Sequence, residues 1–275
     1  MSNIIGIDFG TTNCCVAVVK NGNAEVIPNR SGNRITPTLV TFIKSGETLI
    51  GEKAAQYAVK NSKQTVVSVK RYIGKDRPFF NGTEMYSPIE ISAIVLRELR
   101  RNAEDYLGET VTEAVVTVPA YYNDLQRQAT KDAAGIAGLN VVKMINEPTS
   151  AALAYSLDHS VLQRVLVFDL GGGTFDVSVI EIRSGIVEVL ATNGDNRLGG
   201  DDFDERLVEH FLELIHRERR FSIRRHPDAL FRLIEAARTA KEILSSEESY
   251  AISVPVLTSG RHMFDFEYTL TRKKF

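Results

Sequence analysis

Residues 166–180 read LVFDLGGGTFDVSVI, and this stretch decides the fold. A strand-like apolar run, Leu166-Val167-Phe168, meets Asp169, breaks into Gly171-Gly172-Gly173, passes Thr174 and Asp176, and resumes strand alternation at Val177-Ser178-Val179-Ile180. Consecutive glycines weaken a strand, so three of the chain's 19 glycines placed between two strands need a reason. A shift of 161 positions lays Ile7-Asp8-Phe9-Gly10-Thr11-Thr12-Asn13 on Phe168-Asp169-Leu170-Gly171-Gly172-Gly173-Thr174 without a gap, and carries Val16 and Val18 onto Val177 and Val179. Strand, aspartate, glycine-bearing turn and second strand thus occur twice, which predicts two related lobes, 1–160 and 161–275.

Glycine-rich turns let backbone N–H groups converge on an anion, and Thr11, Thr12 and Thr174 add hydroxyl donors, so each turn reads as a phosphate cradle. Carboxylates such as Asp8, Asp169 and Asp176 suit a phosphate site when a hard cation or its waters lie between them. The set therefore predicts a nucleotide carrying magnesium. The alternative is a pair of ordinary hairpins, with glycine supplying positive φ and aspartate a turn acceptor.

Other chemistries are excluded by inspection. Gly74-Lys75 is followed by Asp76, so no P-loop forms, and no G-x-G-x-x-G completes around Gly171 and Gly173. There is no G-x-S-x-G elbow, and five scattered histidines do not make a zinc site. A formal charge of −2 gives no reason to expect nucleic acid or an anionic membrane as partner. With 43% apolar and 25% charged residues over 275 positions, the chain has the composition of a folded globular protein of one large domain or two lobes. Adjacent Cys14 and Cys15 point to opposite strand faces and suggest a reducing compartment. No membrane span or signal peptide is read at the N-terminus, and the expected location is the cytoplasm.

Strands are predicted at 3–9, 14–19, 25–27 and 39–43, separated by hairpin turns. A helix opens at Ser87-Pro88-Ile89-Glu90, with Ser87 as N-cap and Glu90 completing a capping box, and ends at Gly108. A strand at 114–118 stops at Pro119, a helix follows over 124–137, a strand over 141–145, and a short helix after Glu147-Pro148. The boundary between lobes is expected at 157–163. Hairpin strands then restart at 165–182 and 185–191, followed by helices at 202–219 and 228–245 and a return to strands.

The blocks IGIDFGTTNCCVAVV, NRITPTLVTF, VKRYIGK, VTVPAYYNDLQRQATKDAAGIAGL, INEPTSAALAY, VFDLGGGTFDVSV, NRLGGDDFDERL and AKEILSS together closely resemble the ATPase domain of the heat-shock-protein-70, or DnaK-type, chaperones. The resemblance runs in order from residue 4 to the end, and actin-like proteins and sugar kinases share the paired turns but not the longer blocks. It implies an α/β, two-lobed actin-like ATPase fold built on a duplicated ribonuclease-H-like motif, with the second lobe incomplete. It further implies ATP or ADP, Mg2+ and K+ as cofactors. The expected partners are the protein's own peptide-binding domain, a J-domain co-chaperone, a nucleotide-exchange factor and unfolded client peptides.

At matching positions, the resemblance makes Asp8, Gly10, Thr11, Thr12 and Asn13 the first phosphate turn and Gly171, Gly172, Gly173 and Thr174 the second. Asp8, Asp169 and Asp176, with Glu147 partly through water, match the residues around the metal ions. Lys70, Glu147, Asp169 and Thr174 carry the implied catalytic roles, Lys70 positioning the attacking water. Gly199 and Gly200 match a glycine pair near the nucleotide, Lys241 and Ser245 an adenosine contact, and Pro119 and Arg127 a relay toward the peptide-binding domain. Several features depart from the pattern. Glu242 stands where some relatives place a basic residue against adenine, the stretch 70–87 is short, and no G-G-S-x-R-I-P adenosine motif occurs in the 275 residues. A nucleotide-binding module with weak turnover is the alternative function.

Overall fold

The computed structural model describes residues 4–156, 162–183, 186–258 and 263–275. By spatial contact they form two compact units, Met1–Gln56 with Gln64–Gly199, and Tyr57–Lys63 with Gly200–Phe275. This division is drawn by packing, whereas the boundary expected at 157–163 falls partly outside the described residues.

The first unit begins with β1 (Ile4–Phe9), β2 (Asn13–Lys20), β3 (Asn23–Val26) and β4 (Thr36–Pro37), then β5 (Leu39–Phe42), β6 (Thr48–Ile50), α1 (Gly51–Ala58) and β7 (Thr65–Val67). After the short pair β8 (Phe79–Phe80) and β9 (Met85–Tyr86) come α2 (Pro88–Leu107), β10 (Glu113–Val118), α3 (Asp124–Ile136), β11 (Asn140–Asn146) and α4 (Glu147–Ser156). Strands β12 (Gln163–Leu170), β13 (Phe175–Arg183) and β14 (Ile186–Asp195) complete it. The main sheet runs β11-β10-β1-β2-β3, with β4 on β2. β1, β10 and β11 are parallel and β1, β2 and β3 antiparallel. Parallel neighbours need a crossover, and α3 supplies the one between β10 and β11.

Burial follows the sequence alternation. Ile5, Ile7 and Phe9 of β1, Val16 and Val18 of β2 and Val116 and Val118 of β10 pack with Leu96 and Leu99 of α2 and Ala129 and Ala133 of α3 in one core. Each such large apolar side chain contributes about 1.5–3 kcal/mol on burial. The capping box of α2 forms as expected: Ser87 Oγ accepts from Glu90 N at 3.2 Å, Ser87 N donates to Glu90 Oε2 at 2.8 Å, and Gly108 ends the helix at φ 70°. α3 carries a second box, Asn123 with Gln126, at 2.9 and 3.2 Å.

The strand register reproduces the repeat. Ile7 faces Val16, Asp8 faces Cys15 and Phe9 faces Cys14 between β1 and β2; Phe168 faces Val177, Asp169 faces Asp176 and Leu170 faces Phe175 between β12 and β13. Each second pair follows from the first by the same 161-residue shift that aligns the turns. In the three-stranded sheet β12-β13-β14, Ile180 and Ile182 pack on Ala152 of α4. Of the two cysteines, Cys14 is buried, with Sγ 3.1 Å from Thr38 Oγ1, and burial pushes its thiol up to about 12.

The second unit contains α5 (Gly200–Arg219), α6 (Pro227–Ile243) and the hairpin β15 (Ser249–Thr258) with β16 (Phe264–Thr271). Phe211, Leu233, Ala237, Ile252, Phe266 and Leu270 lie in its core. After β16 the chain turns: Thr271 Oγ1 accepts from Lys274 N at 3.2 Å and Thr271 O from Phe275 N at 3.0 Å, the pattern of a helix N-cap.

Candidate functional site: the paired glycine turns

In the first unit, the turn between β1 and β2 and the turn between β12 and β13 meet. A cavity of about 460 Å³ is lined by Asp8, Gly10, Thr11, Thr12 and Asn13 from one and Asp169, Gly171, Gly172 and Thr174 from the other. Lys70, Thr117, Glu147, Ser150, Ala151 and Ala154 close it. The reason for glycine is proximity. Gly10, Gly171, Gly172 and Gly173 do not occupy the left-handed region, so the hairpin explanation by positive φ fails for these four. A Cβ on Gly172 would stand 2.0 Å from Thr12 Oγ1, and one on Gly173 2.8 Å from Thr11 Cγ2 and 2.8 Å from Arg71 Cγ. Gly199 is just as tightly held, a Cβ there reaching the Gly172 carbonyl carbon at 2.4 Å. Bare backbone is what lets the two turns and the Gly199 loop approach each other.

Lys70 sits on a 3-10 turn, Val69–Tyr72, entered through Ser68 at φ 51°. The turn buries it, with 3% of its side chain exposed and Nζ 2.5 Å from Glu147 Oε1. Tyr122 Oη donates to the Lys70 carbonyl at 3.2 Å and helps fix the turn. Burial alone would push the ammonium down, but the Glu147 carboxylate, Tyr122 and Asp8 hold it above its ordinary value, so Lys70 is a permanent buried cation. Glu147 starts α4, directly after β11.

The carboxylates crowd one another. Asp169 is pushed up by burial and by Asp8, against the pull of Lys70. Asp176, facing Asp169 across the hairpin, is 1% exposed and neither of its oxygens completes a hydrogen bond. Burial and Asp169 push it up, while the Tyr121 and Ala120 amides pull the other way. Glu147 is raised by burial, with Lys70 opposing. A carboxylate as buried as Asp176, with amides near it but no completed hydrogen bond, is costly, and a cation beside it would offset that cost. Among the described residues no three His, Cys, Asp or Glu side chains are grouped to ligate a metal directly. The donor set fits a hard ion that takes few protein ligands and completes its shell with phosphate oxygens and water, as magnesium does.

Sequence reasoning missed Thr117, whose Oγ1 donates to Asp8 Oδ1 at 2.8 Å, together with Ser150, Ala151 and Ala154. The available signal was the position of Asp8 and Thr117 at the carboxyl ends of parallel strands, where α/β sheets bind ligands. Pro119 and Arg127 are joined through one turn: Tyr122 N donates to Pro119 O at 3.2 Å, and the Arg127 guanidinium donates to Tyr122 O at 3.2 Å, Ala120 O at 3.3 Å and Asn146 Oδ1 at 2.9 Å. Gly200, Lys241 and Ser245 belong to the second unit. There Lys241 Nζ donates to Gly200 O at 2.9 Å and pairs with Asp204 at 2.7 Å, and Ser245 lines a cavity beside it; Glu242 is exposed.

A family model described as Hsp70 protein matches residues 4–81 and 75–275. The join falls inside the stretch 70–87 that reads as short in the sequence. The mixed α/β architecture, with six helices and several sheets among the described residues, is that of an actin-like ATPase fold. With matched segments covering the chain from residue 4 to its last residue, the protein belongs to the Hsp70 family.

Proposed function

We propose that this chain is the nucleotide-binding, ATP-hydrolysing domain of a DnaK-type chaperone, which in the full-length protein couples nucleotide state to peptide binding. Hsp70 family members are ATP-binding chaperones and ATPases, bind ATP or ADP with Mg2+, and work with client peptides and co-chaperones. The observation that carries the reading is a single cavity holding both glycine turns and the buried Lys70–Glu147 pair, at 2.5 Å.

Phosphoryl transfer asks mainly for position and charge neutralisation. In this reading, backbone amides of Gly10 to Asn13 and of Gly171 to Thr174 bind the phosphates, and Thr174 approaches the terminal one. Lys70 orients the attacking water and neutralises charge developing on the transferred group, while Glu147 holds Lys70 in place. Asp8, Asp169, Asp176 and, through water, Glu147 would hold the magnesium, which supplies Lewis-acid charge neutralisation when bound; potassium would share the acidic positions. Gly199, Gly200, Lys241 and Ser245 take the rest of the nucleotide. The Pro119 and Arg127 turn, tied to Asn146 beside Glu147, would pass nucleotide state to the peptide-binding domain. Lobes 1–160 and 161–275, a cytoplasmic setting, a role in the stress response, and J-domain and exchange-factor partners complete the proposal. No helix among the described residues is long and apolar enough to cross a membrane.

Calorimetric titration tests the metal assignment. The unmodified chain should bind ADP at least about tenfold more tightly with magnesium than with EDTA, and Asp8→Asn should lose most of that difference. Equal affinities with and without magnesium in both proteins would remove the metal site. Absence of any nucleotide binding by the unmodified chain would sink the proposed function.

A further inference from the structure

Five hydroxyl side chains line the cavity in the first unit, and three of them, Thr11, Thr12 and Thr174, belong to the glycine turns. Thr117 belongs to neither turn; it stands near the carboxyl end of β10. The parallel pairing of β1 with β10 runs from Ile4 opposite Glu113 to Ile7 opposite Val116, a register that brings Asp8 level with Thr117. Alternation turns Ile7 and Val116 into the core, so the next pair, Asp8 and Thr117, faces the other way, toward the cavity. There Thr117 Oγ1 donates to Asp8 Oδ1 at 2.8 Å. A β-branched residue suits the strand and has few side-chain rotamers, so it presents its hydroxyl from a nearly fixed position.

The contact matters because of what else surrounds Asp8. Its side chain is exposed to the cavity, and the last torsion of an aspartate is broad, so the carboxylate can turn unless something holds it. Among the described residues Thr117 is the one side chain that hydrogen-bonds it. A hydroxyl has a single proton to give; spent on Oδ1, it leaves Oδ2 open. The donor is also neutral. A lysine or arginine in its place would orient the carboxylate too, but would cancel the charge that attracts a cation.

We propose that Thr117 is a positioning residue for the metal: by holding Asp8 Oδ1 it presents Oδ2 to the magnesium or to its bound water. The inference rests on the nucleotide reading and adds to it a residue that acts through Asp8. Hydrogen bonds that orient a metal's carboxylate partners are worth about 10–100-fold in metal affinity.

The test is calorimetric titration of ADP, with magnesium and with EDTA, into the 275-residue chain and its Thr117→Val and Thr117→Ser variants. Valine keeps the shape and the strand preference and removes only the hydroxyl. Asp8 is exposed, so water replaces the lost donor and melting curves should coincide. Thr117→Val is expected to weaken ADP binding about tenfold with magnesium and less than about twofold with EDTA. Thr117→Ser, which restores the hydroxyl, should stay within about threefold of the unmodified chain. Added to Asp8→Asn, Thr117→Val should cost less than about twofold more, because the two act as one unit. Unweakened binding of Thr117→Val with magnesium, an equal loss in EDTA, a serine variant as weak as the valine one, or a full further loss on top of Asp8→Asn would each overturn the proposal. Failure of the nucleotide reading shows separately, in the unmodified chain: ADP binding that is absent, or indifferent to magnesium, overturns that reading and the role of Thr117 with it.

Discussion

Lys70→Ala is expected to lower the single-turnover rate of ATP hydrolysis about 10²–10³-fold at saturating ATP, with nucleotide affinity changed by no more than about threefold. The asymmetry follows from where the charge acts. An ammonium in a water-excluded cavity interacts far more strongly than one in solvent, and Lys70 is 3% exposed. Charge aimed at the transferring group stabilises the transition state more than bound ATP, so rate falls while binding holds. The substitution also leaves Glu147 without its partner, and breaking a buried ion pair costs about 3–5 kcal/mol. Burial already pushes the Glu147 carboxyl up, so it can take up a proton, which limits that loss. Melting curves of both proteins therefore accompany the rates, and rates are compared at a temperature where both are folded. An unchanged rate in a folded Lys70→Ala protein removes Lys70 from the mechanism.

The second large effect separates two glycines that the repeat makes equivalent. Gly10→Ala should weaken binding of ADP with magnesium about 100-fold or prevent the turn from forming, because its Cβ would stand 2.0 Å from the backbone oxygen of Asn13. A backbone atom inside a hydrogen-bonded turn cannot rotate away, and overpacking of this kind costs about 1–3 kcal/mol or more. Gly171→Ala should change binding by less than about threefold, since its Cβ meets nothing closer than Thr174 O at 3.6 Å, ordinary contact distance, and its φ is not in the left-handed region. Thermal unfolding and calorimetry read both. Equal effects at the two positions would mean that the cradle is not held by close approach in the way described.

What the sequence made legible was local or repeated. The Ser87-Glu90 capping box, the Gly108 stop and the alternation of β1, β2 and β10 depend on residues within a turn or a strand, and all appear where the pattern puts them. The paired register of Asp8 with Cys15 and Asp169 with Asp176 was implicit in the 161-residue shift. What was not legible depends on long-range contact. Helix α1 and strands β6 and β7, which flank the anticipated β5, span only three to eight residues each and gave no signal that stood out. The burial of Lys70 depends on Ser68 turning the chain at positive φ and on Tyr122 and Glu147, 52 and 77 positions from Lys70. Thr117 reaches Asp8, 109 positions away, because β10 lies parallel to β1. That close approach, with no left-handed backbone, is what Gly10, Gly172 and Gly173 provide could be read only once both turns were folded.

The central claim is that both turns hold one phosphate chain, and hydrogen–deuterium exchange tests it most directly. On addition of ADP with magnesium to the unmodified chain, amides of residues 10–13 and of residues 171–174 should slow together, while those of β3 stay unchanged. Protection of only one turn, or of neither at nucleotide concentrations that saturate binding, would contradict the account.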